Sequence, residues 1–209
     1  TGSYGDRSLF LSNLARHGLT PDSFDLAVLS HFHFDHVVNA EILSAKRLII
    51  SYPELEYILS AAFRKAEDPF VPLAHIPLLQ SRLCPVADGQ EIAPGVQTVY
   101  LPGHTPGSMG LWLPEHKLIF TGDAIKNAYD CMHSIPPPCF GSQEEALSSM
   151  RKVRSMARGV YPGHDCGFCL SEPGTVHPLH PHSAVHMYLA DQGDCAPRSI
   201  TVYPEPPGP

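Results

Sequence analysis

Leu9, Phe10, Leu11 and Leu14 recur at helical spacing ahead of Gly18 and Pro21, which predicts an amphipathic helix over residues 7–17. Two apolar runs of strand length follow, at 26–30 and 47–51, with room for a short helix over 36–44 between them. Pro53 then opens a helix predicted to reach about Lys65. This strand, helix, strand alternation is the α/β pattern. From Val86 the chain changes to short runs at 95–101, 110–113 and 117–120, the last two joined by a Pro-Glu-His turn, which predicts a meander. Ser142 with Glu145 is a capping-box signature. Behind it Ala146, Met150, Val153 and Met156 give the apolar face of a helix to about Arg158, before a last short strand at 159–161.

The tail has a different texture. Beyond Glu172 eight prolines fall within 37 residues and Arg198 is the one Lys or Arg side chain, so residues 171–209 are expected to be an extended or partly disordered extension. Residues 1–170 are expected to be a single domain, long enough for a sizeable core. A net charge of −7 with only 14 Lys and Arg excludes a nucleic-acid surface, and no apolar run approaches the ~20 residues of a bilayer span, so no membrane partner is expected. Six cysteines (Cys84, Cys131, Cys139, Cys166, Cys169, Cys195) read as reduced thiols, and a cytoplasmic location is expected. Oligomeric state is not legible.

The thirteen histidines change the picture. Ser30-His31-Phe32-His33-Phe34-Asp35-His36 sets three histidines and one aspartate at the end of a predicted strand. Residues two apart in an extended segment point the same way, so His31 and His33 can serve one metal while Asp35 and His36 turn to a second. Three more candidate ligands stand in glycine-bounded turns after apolar strands: His104 in Pro-Gly-His-Thr, Asp123 in Thr-Gly-Asp-Ala and His164 in Pro-Gly-His-Asp. Each alone reads as an ordinary loop residue. Together the seven suit two metals, with His31, His33 and His104 at one, Asp35, His36 and His164 at the other, and Asp123 between them. Five imidazoles and two carboxylates favour two zinc ions, and iron or manganese would accept the same set.

The run His31-x-His33-x-Asp35-His36 followed by His104, Asp123 and His164 resembles the metallo-beta-lactamase superfamily, over residues 1 to about 166. The resemblance implies an α/β fold, an αββα sandwich with the metal site between two sheets. Thr1-Gly2 is similar to the end of the superfamily's Asp-Thr-Gly turn, which implies a chain truncated at its N-terminus and lacking the first strands. The implied reaction is hydrolysis of a small ester, lactone or thioester. Two ions sharing Asp123 would hold a bridging water, lower its pKa from ~15.7 toward neutrality and yield a hydroxide nucleophile. Asp35 would orient that oxygen and carry a proton to the leaving group.

His-Phe-His-Phe-Asp-His most resembles the acyl-homoserine-lactone lactonase branch. That branch places a tyrosine three residues after the bridging aspartate; here Lys126 stands there, with Tyr129 three further on, and either could supply an oxyanion donor or hold a substrate carboxylate. Other readings are a beta-lactam or glyoxalase-type thioester hydrolase, a mononuclear iron oxygenase on the same scaffold, and a non-catalytic metal-binding protein. Phe32 and Phe34 flank the ligands and could wall an apolar substrate pocket, with core packing the first reading; Trp112 reads as core, and Thr105 and Ser108 as turn residues able to support His104. Cys166-x-x-Cys169 could take a metal or cycle as a disulfide. His177, His180, His182 and His186 read as solvated tail histidines.

Overall fold

Residues 2–171, 176–179, 183–187 and 198–202 are described by the structure, a computed structural model. The first predicted helix forms as α1 (Arg7–Arg16), with Phe10 leaning on the core and Leu9 and Leu11 exposed. Then come β1 (Leu26–Val28), α2 (Phe34–Val37), β2 (Arg47–Ser51), α3 (Tyr52–Leu59), α4 (Ala62–Lys65), α5 (His75–Leu79) and β3 (Leu83–Val86). The strands make a parallel sheet in the order β1-β2-β3. β2 is buried on both faces, as a central parallel strand requires: Leu48 and Ile50 meet the helices, and Ile49 meets the second sheet.

Three details depart from the sequence pattern. The helix from Pro53 is two helices, because Ala61 takes a left-handed φ of 58° and the turn buries Phe63 against Tyr57, ring centroids 6.3 Å apart. The 36–44 helix is α only through Val37 and continues as a 3-10 turn, Val38–Ile42. β3 carries no alternating pattern and includes Pro85. An edge strand tolerates that missing N–H.

The second sheet has seven strands, beginning with β4 (Glu91–Ala93), β5 (Val96–Tyr100), β6 (Met109–Leu113) and β7 (Leu118–Gly122). After α6 (Ala128–His133) and α7 (Gln143–Met156) come β8 (Gly159–Pro162), β9 (Phe168–Leu170) and β10 (Val176–Pro178). The spatial order is β10-β9-β8-β7-β6-β5-β4. β8 is therefore not the last strand, and the sheet runs past residue 170 into the tail. There β11 (Ser183–Met187) also pairs antiparallel with β12 (Arg198–Val202). The remaining tail positions, His180 and His182 included, lie outside the described residues.

The layering follows from which face each side chain takes. Leu48, Ile50, Tyr57, Ile58, Phe63 and Leu79 form a core between the small sheet and α3–α5. Val99, Leu101, Ile119, Met150, Val153 and Val160 form another between the large sheet and α7. Ile49, Val86 and Met109 fill the seam between the sheets. The result is helix, sheet, sheet, helix, the αββα sandwich expected. In the large sheet β5 and β7 flank β6 antiparallel, and β7 and β8 are parallel, so the C-terminal ends of β5, β7 and β8 share one edge.

Candidate metal centre

Four loops meet at that edge: 29–33 after β1, 101–108 after β5, 123–127 after β7 and 163–167 after β8. The backbone N–H of Met109 donates to Ser30 O at 2.8 Å, which joins the first loop to the large sheet. Buried Glu54 adds a second crosslink, accepting from Phe32 N and from the Thr105 hydroxyl, each at 2.7 Å. Burial raises the pKa of Glu54, against the lowering effect of those donors. Gly107 closes onto the same helix start: a Cβ there would lie 2.0 Å from Glu54 N, so only glycine fits.

His31, His33 and His104 converge with their ligand atoms within 4.8 Å of one another. Each has its outer nitrogen engaged. His104 Nδ1 donates to Pro138 O at 2.6 Å, His33 Nε2 donates to Asp68 Oδ2 at 2.8 Å, and His31 Nδ1 lies 3.1 Å from the Ser30 hydroxyl. Burial lowers the pKa of His104 to about 4 and holds His31 well below the ordinary imidazole value, so both are neutral at pH 7. His104 therefore turns an Nε2 lone pair inward, and it faces His33 Nδ1 at 3.0 Å. His31 Nε2 is buried with no hydrogen-bond partner among the described residues. Converging, undonated ring nitrogens in a dry site are what a cation ligated by neutral imidazoles needs.

Asp35, His36 and His164 form a second group, half open to solvent. His164 Nε2 lies 3.4 Å from Asp35 Oδ2, and His36 Nε2 3.5 Å from the same oxygen. Asp123 stands between the groups: one oxygen is 3.2 Å from His36 Nε2 and 3.1 Å from His164 Nε2, and the other is 3.5 Å from His104 Nε2. Burial pushes the Asp123 carboxyl up, but hydrogen bonds from His164 and His36 outweigh it and hold the group well below the usual carboxylate range. The bond to Asp123 in turn raises His164. All seven sequence-predicted ligands thus fall into one cluster of two groups.

Lys126 reaches the cluster, its Nζ 3.3 Å from Asp123 Oδ2. Tyr129 stands exposed on α6 with its ring against His133, centroids 4.1 Å apart. A cleft of about 470 Å³ opens beside the outer group, lined by Gly2, Ser3, Asp6, Phe34, Asp35 and His164. Phe32 is core, but Phe34 is not: it is 41% exposed at the cleft, 6.2 Å from the Phe70 ring. Trp112 is half-buried against the large-sheet core. Thr105 and Ser108 are buried and bonded to each other at 2.8 Å. Cys84, Cys131, Cys139 and Cys169 are free thiols, Cys166 is exposed, and His177 is exposed on β10.

The sequence pattern missed Glu54, Asp68 and Tyr57, whose oxygens bond the ligand loops or each other from 11 to 51 positions away. No local signal marks them. Glu54 reads as a first-turn helix residue and Asp68 as a turn residue before Pro69.

Known proteins resemble this chain. The N-acyl homoserine lactonase of Bacillus cereus is 30% identical over 159 residues, 73% of this chain and 60% of that protein. An N-acyl homoserine lactone hydrolase solved with N-hexanoyl-L-homoserine at its catalytic metal centre superposes with a TM-score of 0.59 at 26% identity, covering 74% of this chain and 61% of the other. The dizinc quorum-quenching lactonase AidC shares the fold, with a TM-score of 0.67 at 18% identity over 81% of this chain and 69% of its own. The chain spans about 60% of the length of the curated lactonases it matches. The family model described as the metallo-beta-lactamase superfamily matches residues 1–164, from before α1 to the last of the seven clustered side chains, and the chain belongs to that superfamily.

Proposed function

We propose that this chain is a metal-dependent hydrolase that opens a small ester-like bond, with acyl-homoserine lactones as its first substrate class. The observation that carries the reading is the pair of side-chain groups sharing Asp123. His31, His33 and His104 would hold one divalent ion, Asp35, His36 and His164 a second, and Asp123 both. The donor set, five imidazoles and two carboxylates, favours zinc. When bound, such ions polarise an ester carbonyl and make water acidic enough to attack near pH 7. The lactone preference is supported by the 30% identity to the Bacillus cereus enzyme.

The chain's own residues supply the rest. Asp35 borders the cleft, 3.4 Å from His164, where it can accept a proton and return it to the departing alkoxide. Lys126 offers an ammonium beside Asp123, free to turn to a developing oxyanion or a substrate carboxylate once Asp123 is engaged by metal. Tyr129 is the alternative donor, one that would have to swing from its place on His133. Residues 1–170 are taken as the catalytic domain and 171–209 as an extension of it.

Metal content measured on purified protein, with an acyl-homoserine lactone, a thioester and a beta-lactam assayed on the same sample, tests this. About two zinc ions per chain with lactone opening is the expected result. One iron with oxygen consumption would replace the reading with an oxygenase, and metal-replete protein inert on all three would leave a binding protein.

A further inference from the structure

One imidazole of the inner group is held differently from its neighbours. His31 leans on a serine hydroxyl and His104 on a backbone carbonyl, but His33 Nε2 meets a carboxylate, Asp68 Oδ2, at 2.8 Å. Both side chains are essentially without solvent contact, 3% and 0% exposed. Asp68 is itself fully engaged. The Tyr57 hydroxyl donates to Oδ2 at 3.0 Å, and the backbone N–H of Phe70 donates to Oδ1 at 2.9 Å. The same loop holds the adjoining backbone, Phe70 O accepting from Phe34 N at 2.9 Å, and sets the Phe70 ring 5.5 Å, centroid to centroid, from that of His33.

We infer that Asp68, held by Tyr57, is a positioning residue for His33, fixing the ring with its proton on Nε2 and its Nδ1 lone pair turned into the cluster. The inference rests on the metal-holding reading above. A buried carboxylate takes no part in packing that an apolar side chain could not do better, and it is stabilised here only by donors that also fix its direction. A carboxylate behind an imidazole makes the ligating nitrogen more basic and removes the freedom of the ring to flip. Asp68 and Tyr57 need touch neither substrate nor metal to act. Tyr57 sits on α3, one turn from Glu54, so a single helix braces the first ligand loop at Phe32 through Glu54 and at His33 through Asp68.

The test compares wild type with Asp68→Ala, Asp68→Asn and Tyr57→Phe in the full chain. Zinc affinity is read by chelator competition and folding by circular dichroism. The His33 side-chain N–H is read by proton NMR on histidine-labelled protein with metal removed. Wild type is expected to show a downfield, exchange-protected Nε2–H signal. Asp68→Ala should lose it and bind the tighter zinc ~10- to 100-fold more weakly. Asp68→Asn, which keeps the volume, should lie between, and Tyr57→Phe should weaken zinc by roughly two- to tenfold. Folded Asp68 variants that take zinc as tightly as wild type, or a wild-type signal from Nδ1–H instead, would overturn the inference. Should wild type take up no zinc at all, the proposed function fails, and the NMR signal with its loss in Asp68→Ala still decides the positioning role.

Discussion

The two halves of the cluster are built on different principles. In the inner group every imidazole is buried and braced from behind by an atom outside the cluster: Ser30 Oγ, Asp68 Oδ2 or Pro138 O. In the outer group Asp35 and His164 are 28% and 39% exposed, and the ion pairs they make are within the cluster itself. The inner geometry is therefore set by contacts outside the cluster. The outer geometry depends on Asp123 and on whatever Asp123 holds. A cluster of this kind should fill in order, inner group first, with the open group left for exchange with solvent and substrate.

Asp123→Ala removes the one side chain common to both groups and should erase the difference between them. Metal content should fall in both, and lactone turnover should drop by more than about a hundredfold, beyond the usual effect of losing an outer-shell partner. Full activity in that variant would end the shared-carboxylate account. A subtler route is Gly163→Ala. A Cβ there would lie 2.1 Å from Asp123 Oδ1, so the carboxylate must move. A displacement of that size should cost about a hundredfold in kcat/KM while the fold, read by circular dichroism, survives.

The two halves should also answer to pH with opposite signs. His104 titrates near 6.5 in the unfolded chain and at about 4 when folded, so between those values the unfolded state binds more protons. Stability of chelator-treated protein should thus fall as pH drops from 6.5 to 4, by about 1.4 kcal/mol per unit and ~3 kcal/mol in total, with buried His31 acting in the same direction. His164 is raised instead, so its contribution is complete below its unfolded value and is lost as pH rises through the folded one. Urea midpoints across pH 4–8 should show net acid sensitivity, and His164→Ala should steepen it. A flat profile in both proteins would refute the neutral, buried inner group.

The smallest expected effect lies away from the cluster. The Ser142 hydroxyl accepts from Glu145 N at 3.4 Å at the start of α7, and Ser142→Ala should lower unfolding free energy by about 1 kcal/mol without changing metal content.

Ligands and strands were legible because their signals are local. Six consecutive residues, 31–36, carry four of the clustered side chains, and the other three each follow a short apolar run that the structure forms as β5, β7 and β8. Helix α7 was legible for the same reason, its cap and its apolar face lying within one window. Phe32 and Phe34 divide the two readings open to them, core and pocket wall, because periodicity cannot tell a core phenylalanine from one at the rim of a cleft. The break at Ala61 escaped because it answers to the burial of Phe63, not to any helix breaker.

Residue chemistry is written in the chain: seven side chains of metal-binding type, the turns that present them, the α/β order of elements and the family resemblance. Tertiary structure alone decided how each donor is oriented. Which ring nitrogen of His33 faces inward depends on Asp68, 35 positions away, and the union of the first and second ligand loops depends on Glu54, 51 positions from Thr105. Those partners become neighbours only when helix α3 and the loop after α4 pack behind the small sheet. A hydrogen bond between distant residues leaves no periodic trace in the chain that forms it.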